Sequence, residues 1–111
     1  METLRFNFTG GARRLDGASL VGVVGSGNLE VLIEHQALSG ACAIEISTAA
    51  HGFGVIWEAV MRDFHQRWQL ADARIAINDM GATPAVVSLR LDQAAESIVG
   101  ALPDANQGGA A

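Results

Sequence analysis

The sequence predicts an α+β fold, a mainly antiparallel sheet of about five strands with two helices packed on one face. Three observations predict it. Several short segments alternate apolar and polar residues with period two, two longer segments repeat apolar residues at helical spacing, and glycine-rich breaks separate them. The chain has 111 residues, and its bulky aliphatic stock is twenty-six Val, Ile and Leu. That suffices for one core at an ordinary domain length. Residues 1–102 are expected to form that single domain and residues 103–111 a disordered tail, since the tail beyond Pro103 has little to bury.

Leu4, Phe6 and Phe8 alternate with Arg5, Asn7 and Thr9, which reads as a half-buried strand closed by Gly10 and Gly11. A polar connection follows to Gly17. The β-branched runs Ser19 to Val24 and Asn28 to His35 flank Gly25-Ser-Gly27, so they are expected to pair as a hairpin with Ser26 at its tip. In the second arm Leu29, Val31 and Ile33 share one face, and Glu30, Leu32 and Glu34 the other. Ala41 to Thr48 alternates again, with Cys42, Ile44 and Ile46 on the apolar side. From Phe53 the period changes: Phe53, Trp57, Val60, Met61, Phe64 and Trp68 define one face of a helix running to about Gln69. Arg74 to Asn78 returns to period two through Ile75 and Ile77, and Asp79 to Ala82 reads as a loop. Val87, Leu89 and Leu91 fit a strand as well as a helix, but Thr83-Pro84 supplies an N-cap and a proline at the first helical position. A second helix from Pro84 to about Ala101 is therefore expected. The expected core includes Val23, Val31, Ile44, Ile46, Trp57, Phe64, Ile75 and Leu91.

Charge and composition exclude whole classes of function. Twelve acidic against seven basic side chains give a formal net charge of -5, which argues against nucleic acid and against anionic membranes. No uncharged apolar run reaches the roughly 18 residues of a membrane span, and the first eight residues alternate instead of forming a secretory leader. A cytoplasmic location is expected. Cys42 is the single cysteine, so neither a disulfide framework nor a thiolate zinc site is available.

Few residues are placed for chemistry of their own. His35, His51 and His65 are far apart and form no metal-ligating pair, so surface positions are expected for them. Cys42 on an apolar strand face reads as a small hydrophobe, and Trp57 and Trp68 as core. Glu30 and Glu34 could share acid-base work, but a solvated edge is the commoner fate of such a pair. Asp79 precedes the helix N-terminus at Thr83, a place where backbone N–H groups can receive an anion; a small anion-binding or catalytic domain is the alternative reading. Ser26 lies between two strands with no His and Asp partners, which argues against a serine hydrolase. Chemistry at Ser26 is expected to be performed by another protein.

Three blocks then stand out: Val21-Gly-Val-Val-Gly-Ser-Gly-Asn-Leu-Glu-Val-Leu-Ile33, the helix start from Gly52 to Trp57, and Asp79-Met-Gly-Ala-Thr-Pro-Ala-Val-Val-Ser-Leu-Arg-Leu91. Together, from about Ala18 to about Val99, they resemble the acyl carrier (delta) subunits of biotin-independent malonate decarboxylases and, more distantly, the acyl carrier subunit of citrate lyase. Met80 stands where Phe is common in that family and Ala85 where Gly is common. The resemblance implies a non-catalytic carrier. It implies that Ser26, flanked by Gly25 and Gly27, holds a 2'-(5''-phosphoribosyl)-3'-dephospho-coenzyme A group through a phosphodiester, making the chain a phosphoprotein. The terminal thiol of that group would carry acetyl and malonyl thioesters. The implied partners are an alpha subunit that exchanges malonate for acetate, beta and gamma subunits that decarboxylate, a prosthetic-group transferase and a malonyl acyltransferase. Fatty-acid carriers use Asp-Ser-Leu in a helical bundle, and that motif is absent here.

Overall fold

A computed structural model describes residues 1–14, 22–26 and 28–99, with the backbone alone for residues 14 and 22–26. The elements are β1 (Glu2–Phe8), β2 (Arg13–Arg14), β3 (Gly22–Ser26), β4 (Leu29–His35), β5 (Cys42–Thr48), α1 (Gly54–Trp68), β6 (Leu70–Ala71), β7 (Ala73–Asp79) and α2 (Pro84–Val99). The expected α+β architecture is present. Five strands form one sheet in the order β1-β5-β7-β4-β3, in which β5 and β7 run parallel and the other three pairs antiparallel. The parallel pair follows from connectivity: α1 carries the chain from the end of β5 back toward its start. A feature the sequence reading leaves in loops is the short parallel pair of β2 with β6. The expected start of the first hairpin arm at Ser19, the side chain of Val23, Gly27, and everything from residue 100 onward lie outside the described residues.

Strand alternation decides which side becomes core. Leu29, Val31 and Ile33 of β4, Cys42, Ile44 and Ile46 of β5, and Ile75 and Ile77 of β7 are buried on one face. Both helices cover that face, α2 over β3 and β4 and α1 toward β1. Helix α1 contributes Trp57, Met61, Phe64 and Trp68, and α2 contributes Val87, Leu91, Ala94 and Ala95, each set at helical spacing. Burial of each large aliphatic side chain contributes about 1.5–3 kcal/mol, so this interlayer is the main stabilising element. Leu89 is exposed, which settles Val87 to Leu91 as helix: a strand would have placed all three on one face. Thr83 is the expected N-cap, its Oγ1 accepting the Val86 N–H at 3.3 Å.

The opposite face stays wet and is laced with charge. Arg5 of β1 meets Glu45 of β5 at 2.9 Å, and Arg74 of β7 meets Glu34 of β4 at 3.5 Å and Glu45 at 3.9 Å. Glu30 accepts from the Asn78 amide at 3.3 Å. Glu30 and Glu34 thus lie on the open face of an interior strand, not at an edge, and each has its own neighbour. Such exposed pairs contribute little stability individually, but they keep the sheet's second face polar.

Both helices are also joined by a polar bolt. Asp92 of α2 accepts from Arg67 Nη1 and from Trp68 Nε1, each at 2.9 Å, while Arg67 Nε donates to Asp63. The buried indole N–H is satisfied in this way, so Trp68 can fill the core without a stranded donor.

Candidate functional site

Gly25 and Ser26 end β3, the edge strand of the sheet. Ser26 is the last residue of β3 and pairs with Leu29. Ser26 is thus the last rung of the β3–β4 ladder, whereas the sequence reading expects it at the hairpin tip. Register then continues the row across the sheet: Leu29 pairs with Asp79, Asp79 with Thr48, and Thr48 with Glu2. Ser26 and Asp79 are therefore two strand spacings apart, roughly 10 Å between backbones. The loop after β7 is tied to the hairpin by the Met80 N–H, which donates to the Asn28 carbonyl at 2.8 Å.

Asp79 organises this end of the molecule. It is 2 % exposed; its Oδ2 accepts the Thr48 hydroxyl at 2.8 Å, and its Oδ1 accepts the N–H groups of Gly81 at 3.2 Å and Ala82 at 2.8 Å. Both carboxylate oxygens are thus committed to fixing the turn between β7 and α2. The Thr83 hydroxyl is likewise spent on its own helix. The alternative reading, in which Asp79 and the Thr83 helix start bind an anion, loses the groups it needs.

A cavity of about 320 Å3 opens beside this turn, between the start of α1 and the start of α2. Phe53, Ile56, Trp57 and Val60 form one wall, and Ala82 and Val87 the other. Sequence periodicity assigns Phe53 to the buried stripe, but it is 47 % exposed because it caps α1 from outside the helix. Neighbouring Val55 and Ile56 are 82 % and 44 % exposed, and Met80 on the facing loop is 62 % exposed. The signal in the sequence is Phe53-Gly-Val-Ile56, where Val55 and Ile56 fall off the apolar stripe of the helix.

The remaining candidates are scattered. Cys42 is fully buried, and burial pushes its thiol up to about 12, which makes it a core residue and not a nucleophile. His51 is exposed as expected, whereas His65 is half-buried and stacks on Phe8 with ring centroids 4.9 Å apart. His65 departs from the surface expectation because its turn of α1 lies over the end of β1. Burial lowers its pKa, opposed by a backbone hydrogen bond at Thr9, and its Nδ1 is buried with no partner. His35 is half-buried on β4. Among the described residues no group of three or more His, Cys, Asp and Glu side chains could hold a metal ion, and no helix is long and apolar enough to cross a membrane.

Comparison with known proteins adds to this geometry. Residues 16–98 match the family model described as malonate decarboxylase delta subunit (MdcD). The chain is 63% identical over 103 residues to the malonate decarboxylase acyl carrier protein of Xanthomonas euvesicatoria pv. vesicatoria (strain 85-10), covering 91% of this chain and 98% of that one. To the protein of the same name from Burkholderia cepacia it is 62% identical over 101 residues, covering 88% and 91%. In structure it is similar to a chain in the crystal structure of a Pseudomonas malonate decarboxylase hetero-tetramer in complex with malonate, with a TM-score of 0.72 and 34% identity over 87% of this chain and 98% of that chain. A match over most of the length, in sequence and in fold, is more than a shared motif could give: the chain belongs to the malonate decarboxylase delta-subunit family of acyl carrier proteins.

Proposed function

We propose that this chain serves a malonate decarboxylase complex by carrying acyl groups on a phosphoribosyl-dephospho-coenzyme A arm joined to Ser26 through a phosphodiester. The carrier role itself follows from the family and from the names of its relatives. The observation that supports Ser26 is its place within the matched residues, at the last position of a strand that has one neighbour in the sheet. A strand end at a sheet edge is approachable by a second protein, and glycine on either side leaves room for a bulky group against the backbone. No base beside Ser26 is needed, since the transferase that installs the arm would supply it. The terminal thiol of the arm, when present, supplies the thioester chemistry for acetyl and malonyl groups.

The division of labour then assigns little chemistry to this chain. Its residues fix the hairpin, through Asp79 and the Met80 to Asn28 bond, and leave turnover to others. The partners in this reading are the alpha, beta and gamma subunits, the prosthetic-group transferase and a malonyl acyltransferase, in the cytoplasm. Residence in one complex raises the effective concentration of the arm at each active site.

Intact mass of the chain made with its transferase tests the assignment. The native chain should gain a coenzyme-A-sized adduct, and Ser26→Ala should gain none while changing stability by roughly 0.5 kcal/mol or less. Ser47→Ala is the control; Ser39→Ala is a poorer one, because Ser39 has a left-handed backbone with φ 56°. Malonate-dependent CO2 release from the reconstituted complex should vanish with Ser26→Ala alone. An adduct on the Ser26→Ala chain would overturn the assignment.

A further inference from the structure

The cavity between α1 and α2 is a feature that fixing the hairpin leaves unexplained. We propose that it seats the acetylated end of the arm carried by Ser26 and does not hold the malonylated end. The inference rests on the reading of Ser26 as the attachment residue.

Position supports it first. Ser26 and Asp79 share one row of the sheet two strand spacings apart, and Asp79 is at the cavity's edge. Met80, between the lining residues Asp79 and Gly81, is bonded through its backbone to Asn28 of the same hairpin. An arm rooted at residue 26 therefore starts beside the opening. The acyl end of a flexible tether long enough to span that gap has an effective concentration in the millimolar range, so a seat with weak intrinsic affinity is filled.

Size and chemistry narrow the occupant. A volume of about 320 Å3 is at the lower end of small-molecule sites and has space for roughly ten atoms at the ~30 Å3 a liquid water occupies. That suits the end of an arm and not a protein element, whose docking would call for roughly 800 Å2 of surface on each side. The walls are aliphatic and aromatic, with no basic side chain among the lining residues. Two lining side chains carry polar atoms: Asp79, whose oxygens are both engaged, and Trp57, whose indole N–H is a neutral donor. An acetyl thioester is neutral and gains by leaving water, whereas a malonyl thioester would bring a carboxylate against apolar walls and the Asp79 carboxyl, with no cationic side chain to offset its charge. The same groove thus separates the two acyl states: acetyl is held against the carrier, and malonyl stays in solvent, available to a decarboxylating partner.

The test uses the full chain in four forms, unmodified, thiol-bearing, acetylated and malonylated, each verified by intact mass and compared by methyl NMR. Acetylation should shift the methyl signals of Ile56, Val60 and Val87, and leave those of Ile33 and Ile44, farther along the sheet, in place. Malonylation should return the three to their unmodified positions. Ala82→Phe, which fills the groove, should keep the adduct and lose the acetyl-dependent shifts. Verified acetyl protein with unmoved groove methyls would overturn the seat while leaving the assignment of Ser26 intact. Equal shifts for acetyl and malonyl would overturn the discrimination, and shifts that arise only when partner subunits are added would make the groove a subunit contact instead. Absence of any adduct on native Ser26 would overturn the attachment reading and the seat with it.

Discussion

Asp72 and Asp79 stand at opposite ends of β7, and each is a buried carboxylate that accepts two backbone N–H groups from a neighbouring loop. Around Asp72 the structure is closed. Its Oδ1 holds the N–H groups of Leu38 and Gly40, its carbonyl holds Gln36, and nearby Gly11 runs so close to Leu70 that a Cβ on it would lie 2.4 Å from the Leu70 oxygen. Arg13 stacks over Trp68 at the same end. Around Asp79 an equally good hydrogen-bond set fixes the turn, yet Phe53, Val55, Ile56 and Met80 remain exposed beside an open cavity. Equivalent polar anchors thus serve different ends: one seals the core, the other holds a loop in place next to a surface left unfilled. An exposed apolar patch costs solubility and contributes nothing to the isolated fold, so its place beside the Ser26 row is best explained by use.

That contrast predicts separable mutant behaviour. The largest effect is expected from Gly11→Ala at the closed end, because the added methyl meets backbone atoms that cannot rotate away. A loss of about 3 kcal/mol in urea unfolding, with Ser26 loading unchanged in the fraction that stays folded, is the expected result. Next come Asp72→Ala and Asp79→Ala, each of which strands two loop N–H groups and should cost about 2 kcal/mol. Only Asp79→Ala should also slow adduct gain at Ser26, since it alone frees the loop bonded to Asn28. Equal loading rates for the two variants would show that the Asp79 turn does not position the hairpin.

The effects that are smallest at neutral pH come from two titrating groups, and both lie at the closed end. Cys42 has its thiol raised from 9.0 to about 12 by burial, so between those values the folded chain binds more protons than the unfolded one. Stability should fall with rising pH across that window, and Cys42→Val should remove this slope. His65 is shifted the other way: burial holds its pKa below 6.5, so its contribution is complete above that value and is lost as pH falls below it. Protonation would add a charge at a ring whose Nδ1 has no acceptor. His65→Gln should flatten the acid limb of the stability profile, and an unchanged limb would exclude His65 as its source.

Much of the molecule was legible in the chain because local periodicity is a property of neighbours in sequence. Alternation in β4 and β5 gave the faces, the Trp57, Met61, Phe64 and Trp68 spacing gave α1, and Thr83-Pro84 resolved a segment that fits strand or helix by pattern alone. The Gly25-Ser-Gly27 block and the Gly-Ala-Thr-Pro block carried the family resemblance without any structure. Tertiary structure decided what depends on long-range pairing. The parallel register of β5 with β7 puts Thr48 beside Asp79, and the antiparallel register of β4 puts Asp79 beside Leu29, so a loop residue of uncertain purpose becomes the anchor of the hairpin. Likewise, periodicity counts Phe53 as core, but burial needs a partner on the facing element, and the turn after β7 supplies small residues, Gly81 and Ala82, where a large one would have closed the gap. Sequence determined which residues are apolar and on which face; only the packing of α1 against α2 determined which of them would be left without a neighbour.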